Sequence, residues 1–250
     1  MPSTGAQHPA IVIDDAWKAF DGRPALKGAS FEVVFGEVHA LLGENGAGKS
    51  TLVKCIMGFN RPTAGSVLVR DREADIPDPR AAHALGLGMV YQHFTLAGSL
   101  TAAENLVISR DDPPAMIDWR RERAALEDFM ARMPFHVPLD QPVDRLAAGE
   151  KQKLELLKQL YLGRRFLILD EPTSGLDSRA AMSVMRAIKR VALTGRTVVA
   201  TFHQPSAEIF YKFDSLLLLQ KGGHTAYFGS VRNRGRDMVQ YLESIPGTPK

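Results

Sequence analysis

At 250 residues the chain is long enough to bury a substantial core, as one large domain or two small ones, and 45% hydrophobic with 24% charged residues excludes a disordered or low-complexity protein. A formal charge of +3 is too small to argue for nucleic acid as a partner, and a single cysteine, Cys55, excludes an internal disulfide and fits a reducing compartment. No apolar stretch approaches a membrane span and residues 1–10 lack the apolar centre of a signal peptide, so a membrane role is expected only through a partner or a further segment.

Residues 11–13, 30–34 and 37–42 read as short strands, with turns at Asp21-Gly22 and Gly36. The apolar run Val38-His39-Ala40-Leu41-Leu42 leads into Gly43-Glu44-Asn45-Gly46-Ala47-Gly48-Lys49-Ser50-Thr51, which fits G-x-x-x-x-G-K-[ST] between a strand and a helix-like run from Thr51. Glycines there let successive backbone N–H groups turn inward as an anion nest, and the helix N-terminus adds partial positive charge. The motif predicts a nucleoside triphosphate, with Lys49 at its β- and γ-phosphates and the Ser50 hydroxyl on Mg²⁺. Cys55 reads as a small buried residue on the following helix.

Further strands are expected at 65–70 and 88–92. The middle of the chain, about 95–165, then changes character. Asp118 is placed to cap a helix over 119–133, where Leu126, Phe129, Met130 and Met133 form a core stripe, and Arg120-Arg121-Glu122-Arg123 reads as its solvated face. Pro134, Pro138 and Pro142 break the chain into a loop. A second helix follows over 150–162, with Leu154, Leu157, Leu160 and Tyr161 on one face. From Arg165 strands and helices alternate: Phe166–Leu169, a helix over 179–193, and strands at 197–202, 215–219 and 225–228. The pattern predicts an α/β fold with a mainly parallel sheet covered on both faces, and a helical insertion.

The strand Phe166–Leu169 ends in Asp170-Glu171. A buried strand delivers the first carboxylate to a Mg²⁺ shell and the second towards a γ-phosphate, where it can orient and polarise water as a general base. Gln92 follows another strand, in Val90-Tyr91-Gln92-His93-Phe94. Leu146-Ala147-Ala148-Gly149-Glu150-Lys151-Gln152 lies about twenty residues before Asp170, Ser174-Gly175-Leu176-Asp177 just after it, and Thr201-Phe202-His203-Gln204-Pro205 ends the next strand. Together these segments resemble the ATP-binding cassette (ABC) family over nearly the whole chain.

The resemblance implies a P-loop NTPase of ABC type. Its mainly parallel core would carry an antiparallel β edge near the N-terminus and an inserted helical subdomain at about 95–163, all within one nucleotide-binding domain over 1–250. It implies ATP and Mg²⁺ as ligands. Nucleotide would be held by Gly43, Asn45, Gly46, Ala47, Gly48, Lys49, Ser50 and Thr51, and the metal by Ser50, Gln92 and Asp170. Glu171, His203 and Lys49 would carry out hydrolysis, and Phe20, in Lys18-Ala19-Phe20, takes the place of the aromatic that stacks on adenine; an ordinary core aromatic is the other reading. Ala147, Gly149 and Glu150 would face the nucleotide of a second such domain, and Asp177, at the family's D-loop position, would also bind nucleotide. The match at 146–150 is partial, since the family commonly has Leu-Ser-Gly-Gly-Gln: the serine hydroxyl is missing at Ala147, and Ala148 and Glu150 replace a glycine and a glutamine. The implied partners are that second nucleotide-binding domain and the transmembrane domains of a transporter, the chain lying peripherally on the cytoplasmic face of a membrane.

Two kinds of ABC protein are visible. Residues 11–173 resemble ATPases of bacterial sugar and nucleoside importers, and from about Ser174 to Tyr241-Leu242-Glu243-Ser244-Ile245-Pro246-Gly247 the chain resembles eukaryotic pleiotropic drug resistance exporters. A composite chain joined near 170–177 is one expectation from this and a native gene the other. Two other functional classes stand beside the transporter: a soluble ABC ATPase of repair or translation, and an ATP-binding regulatory module with little hydrolysis.

Overall fold

Asp21 and Gly22 both have positive φ, 47° and 75°, the conformation that a two-residue hairpin loop requires. They join β1 (Ile11–Phe20) to β2 (Arg23–Val33) in a computed structural model that describes residues 10–113, 116–231 and 235–244, the Leu242 side chain excepted. Most of the 1–10 segment and residues 245–247 of the C-terminal resemblance lie outside the described residues. The two strands are longer than the sequence pattern suggests. Their register shifts between Ile13 and Ala16 and again between Ala16 and Lys18, so the alternation that marks a strand is lost there.

After β3 (Val38–Gly43) comes α1 (Lys49–Ile56), then β4 (Ala64–Val69), β5 (Arg72–Glu73), α2 (Pro79–Ala84) and β6 (Leu87–Val90). The first sheet is antiparallel, ordered β2-β1-β4-β5. The helices of the middle are α3 (Ala102–Ile108), α4 (Trp119–Ala131) and α5 (Ala148–Tyr161). Asp118 caps α4 as expected, accepting from the N–H groups of Arg120 and Arg121, and Leu126, Phe129 and Met130 are buried. The helix ends at Ala131, short of 133, ahead of Pro134. Helix α3 is not evident from periodicity, yet Thr101 and Glu104 form the reciprocal cap that S/T-x-x-E announces.

The last part supplies β7 (Phe166–Leu169), α6 (Ser178–Leu193), β8 (Thr197–Thr201), the short α7 (Ala207–Phe210), β9 (Ser215–Gln220), β10 (His224–Ser230) and α8 (Arg236–Ser244). These strands join β3 and β6 in a second sheet, ordered β10-β9-β3-β8-β7-β6 and parallel except for β10 at its edge. The parallel sheet divides the interior in two. Val38, Ala40, Leu167, Leu169, Val198 and Ala200 pack with α3–α6, whereas Leu41, Phe166, Ile168 and Val199 pack with α1 and the antiparallel sheet. That alternation is the period of two expected of a sheet covered on both faces. Cys55 is buried on α1, where burial pushes its thiol up to about 11. Among the described residues no helix is long and apolar enough to cross a membrane.

Candidate active site

The C-terminal ends of β3, β7 and β8 come together at one end of the parallel sheet, with Gln92, two residues after β6, beside them. From β3 the chain turns through the glycine loop into α1. Gly48 caps α1 at φ 98°, and a Cβ there would lie 2.5 Å from the Ala25 carbonyl oxygen and 2.9 Å from Leu26 Cδ2, so β2 closes over the loop only because the position is glycine. Ala47 is buried, Asn45, Gly46 and Ser50 are exposed, and Thr51 is half-buried. Lys49 is 7% exposed and its Nζ donates to the carbonyls of Gly43 (2.7 Å) and Glu44 (3.1 Å). Burial lowers its pKa, and the negative charges of Glu171 and Asp170 oppose that shift.

Asp170 and Glu171 leave β7 at a bend. Glu171 has φ 47°, which is left-handed for a residue with a side chain and holds it off the strand axis. The buried Thr201, at the end of β8, fixes both residues. Its hydroxyl donates to Asp170 Oδ1 (2.7 Å) and accepts from the Glu171 backbone N–H (2.9 Å). Gln92 Nε2 donates to Glu171 Oε2 at 3.0 Å. Glu171 and Gln92 line a cleft of about 780 Å³ with Asn45, Ser174, His203 and Gln204. His203, exposed two residues beyond Thr201, therefore opens onto the same space as the carboxylate.

Sequence reasoning missed Thr201. A threonine inside an apolar strand carries no other signal than its place two residues before His203. Thr201→Val is expected to remove the Asp170 bond and leave the Glu171 N–H unpaired, costing about 1–3 kcal/mol of folding stability. Urea denaturation of the two proteins measures it; equal midpoints would show the hydroxyl to be dispensable.

The remaining expected site residues lie elsewhere. Asp177 accepts from the Ala180 N–H (2.8 Å) as the cap of α6. Ala147 is the cap residue of α5, and Glu150 Oε2 reaches back to its N–H (3.1 Å). That is half of a capping box, because alanine has no hydroxyl to return the bond. A Cβ at Gly149 would touch that of Ala180 at 3.3 Å, so α5 begins against the start of α6. None of these four residues lines the cleft with Glu171. Phe20 ends β1 at 44% exposure with the Lys18 ammonium 5.2 Å from its ring centre, which overturns the core-aromatic reading and leaves the ring free to stack.

A buried lysine folded into a glycine loop, near enough to two strand-end carboxylates to feel their charge, is the arrangement of a P-loop nucleotide-binding domain. Residues 26–174, more than half of the chain, match the family model described as ABC transporter, and the chain belongs to that family. Residues 203–245 match the model described as ABC-2 type transporter. The arabinose import ATP-binding protein AraG of Azospirillum brasilense is 34% identical over 232 residues, covering 92% of this chain and 44% of its own length. ABC transporter G family member 35 of Arabidopsis thaliana is 35% identical over 235 residues, covering 90% of this chain and 16% of its own. The chain thus spans about half the length of the importer relatives, or less, and a smaller share of the plant one. Among solved structures, the ADP conformation of MJ1267, an ATP-binding cassette of an ABC transporter, superposes with a TM-score of 0.79 at 20% identity over 96% of each chain. The dimeric cassette MJ0796 does so with 0.71 at 25% identity over 89% of this chain and 99% of its own.

Relatives of both kinds align through residue 174 rather than on one side of it. The core agrees: Leu154 and Leu157 from before that position pack in one cluster with Val184, Ile188 and Val198 from after it.

Proposed function

We propose that this chain binds Mg·ATP and hydrolyses it to ADP and phosphate as the nucleotide-binding domain of a membrane transporter, pairing head to tail with a second such domain. The observation that carries the reading is the Asp170–Thr201–Glu171–Gln92 network held beside Lys49. In use, Lys49 exchanges the carbonyls of Gly43 and Glu44 for phosphate oxygens, which offset the burial that now lowers its pKa. Glu171 takes a proton from the attacking water, and His203, across the same cleft, helps to hold that water. Gly43, Asn45, Gly46, Ala47, Gly48, Ser50 and Thr51 cradle the phosphates, and Phe20 stacks on the base. One carboxylate, one hydroxyl and one amide, from Asp170, Ser50 and Gln92, suit Mg²⁺, which binds through few protein ligands and keeps several waters. When bound, that ion neutralises charge on the phosphates.

Residues at about 95–163 serve as a helical subdomain, and the start of α5, with Ala147, Gly149 and Glu150, faces the nucleotide of the partner domain, as does Asp177. Transmembrane domains supply the transport path, and the chain works on the cytoplasmic face. Phosphate release and light scattering in Mg·ATP test this together; turnover with an ATP-dependent dimer is expected, and neither would be seen if the reading fails. One observation favours an ATP-binding regulatory module instead. Ala147 offers no hydroxyl at the helix start, and ATP binding without turnover would put that reading first.

Lys49→Ala is expected to weaken ATP binding about 10- to 100-fold, the worth of a charge-assisted hydrogen bond to phosphate. Titration with a fluorescent ATP analogue reads this directly, and unchanged affinity would contradict the loop assignment.

A further inference from the structure

Glu155, on α5, is a carboxylate only 1% exposed. Its Oε1 accepts from the Thr95 backbone N–H (2.5 Å) and from the Thr95 hydroxyl (2.9 Å), and its Oε2 faces Lys158 Nζ at 2.7 Å. Lys158 also donates to the Thr95 hydroxyl (2.5 Å), closing a triangle. Thr95 is three residues beyond Gln92, the donor to Glu171. A second tie follows two residues on: the buried Asn105 accepts from the Ala97 N–H (2.8 Å) and donates to the Ala97 carbonyl (3.0 Å). Helix α5 itself is fixed to the sheet. A Cβ at Gly88 of β6 would fall 2.5 Å from Gln159 Oε1, so strand and helix touch there with no space between.

We propose that Glu155 is a positioning residue for the hydrolytic site: it folds the segment after β6 back onto α5 and so holds Gln92 where its amide meets Glu171. The choice of residue supports this. Leu154, Leu156 and Leu157 beside it fill apolar positions, and an apolar side chain at 155 would pack as well at no desolvation cost. Only an acceptor can gather the backbone and hydroxyl donors of Thr95, and burial keeps water from competing for them. The inference rests on the proposed hydrolytic role of Glu171 and Gln92.

The test is a double-mutant cycle on the full chain. Glu155→Ala is expected to lower kcat roughly 10- to 100-fold, the cost of misplacing a group near the chemistry, with KM for ATP within about twofold. In a Gln92→Ala background the same change should cost less than about twofold, because residues acting through one another are not additive. Glu155→Gln, which keeps an acceptor for the Thr95 N–H, should restore most of the rate. Equal losses in both backgrounds would overturn the proposal, as would a loss confined to folding stability. If Glu155→Ala does not fold, Thr95→Val runs the same cycle with the charge pair left in place. Hydrogen exchange without nucleotide is a separate readout. Amides 92–97 should exchange faster in Glu155→Ala while amides 43–51 do not change, and unaltered exchange at 92–97 would refute the tie. A wild-type chain without turnover would defeat the hydrolytic reading, and the exchange result would then decide alone whether Glu155 holds Gln92.

Discussion

Glu171→Gln is expected to lower Mg·ATP turnover by about 10²- to 10⁴-fold, the usual contribution of a general base, while ATP-dependent association persists. The substitution is close to isosteric and leaves the surroundings intact. The Glu171 backbone, at φ 47° and tied by its N–H to Thr201, does not depend on the side chain's charge. The amide oxygen of the new side chain can still accept from Gln92 Nε2, so the cleft keeps its lining. What disappears is the ability to take a proton. One electrostatic change accompanies it. Glu171 and Asp170 both favour the charged form of Lys49, Glu171 more strongly, so the variant's lysine has less support until phosphate arrives. Bound triphosphate carries far more negative charge than the lost carboxylate, hence binding should survive. Phosphate release measured beside light scattering separates the two effects. Turnover within tenfold of wild type would remove Glu171 as the base, and loss of the dimer along with turnover would mean that its charge serves assembly rather than chemistry.

The parts of this site legible in the sequence are those made of consecutive residues. A glycine loop opening a helix, and two carboxylates ending an apolar strand, are fixed by local backbone rules, so 43–51 and Asp170-Glu171 could be read without any knowledge of their neighbours. His203 was legible through its order after them. Thr201 and Glu155 were not, because each acts on a residue far away in sequence, 30 positions for the Glu171 N–H and 60 for Thr95. A threonine in a strand and a glutamate in a helix are unremarkable until the topology sets β8 beside β7 and α5 beside the segment after β6. The fold shows the same division. The parallel strands were found from apolar runs, since burial on both faces leaves little else in them. In β1 and β2 the register shifts hid most of the length, and α3 was not anticipated, its Thr101–Glu104 cap having gone unread.

Acidification from pH 7 to 5 is expected to cost about 2 kcal/mol of folding stability through His39 alone. This histidine lies on β3 at 4% exposure, and its Nε2 accepts from the Val34 N–H at 3.1 Å, so the ring proton sits on Nδ1, which has no hydrogen-bond partner. Burial lowers its pKa from 6.5 to about 4. The Asp214 charge pulls the other way, and Lys189 adds slightly to the decrease. The folded chain therefore keeps the ring neutral where the unfolded chain protonates it. With more protons bound to the unfolded state between these values, stability must fall as pH falls. The contribution is whole above about pH 6.5, declines through the interval, and is gone near pH 4, where the loss levels off at about 3 kcal/mol. Carboxylates elsewhere titrate in the lower part of this range, so the comparison that isolates His39 is with a residue that never charges. In His39→Gln the amide can still accept from Val34, and its urea midpoint should change less than that of wild type between pH 7 and 5. Parallel losses in the two proteins would show that the ring does not take up the proton that unfolding requires, and that the acid sensitivity of the fold arises from its carboxylates.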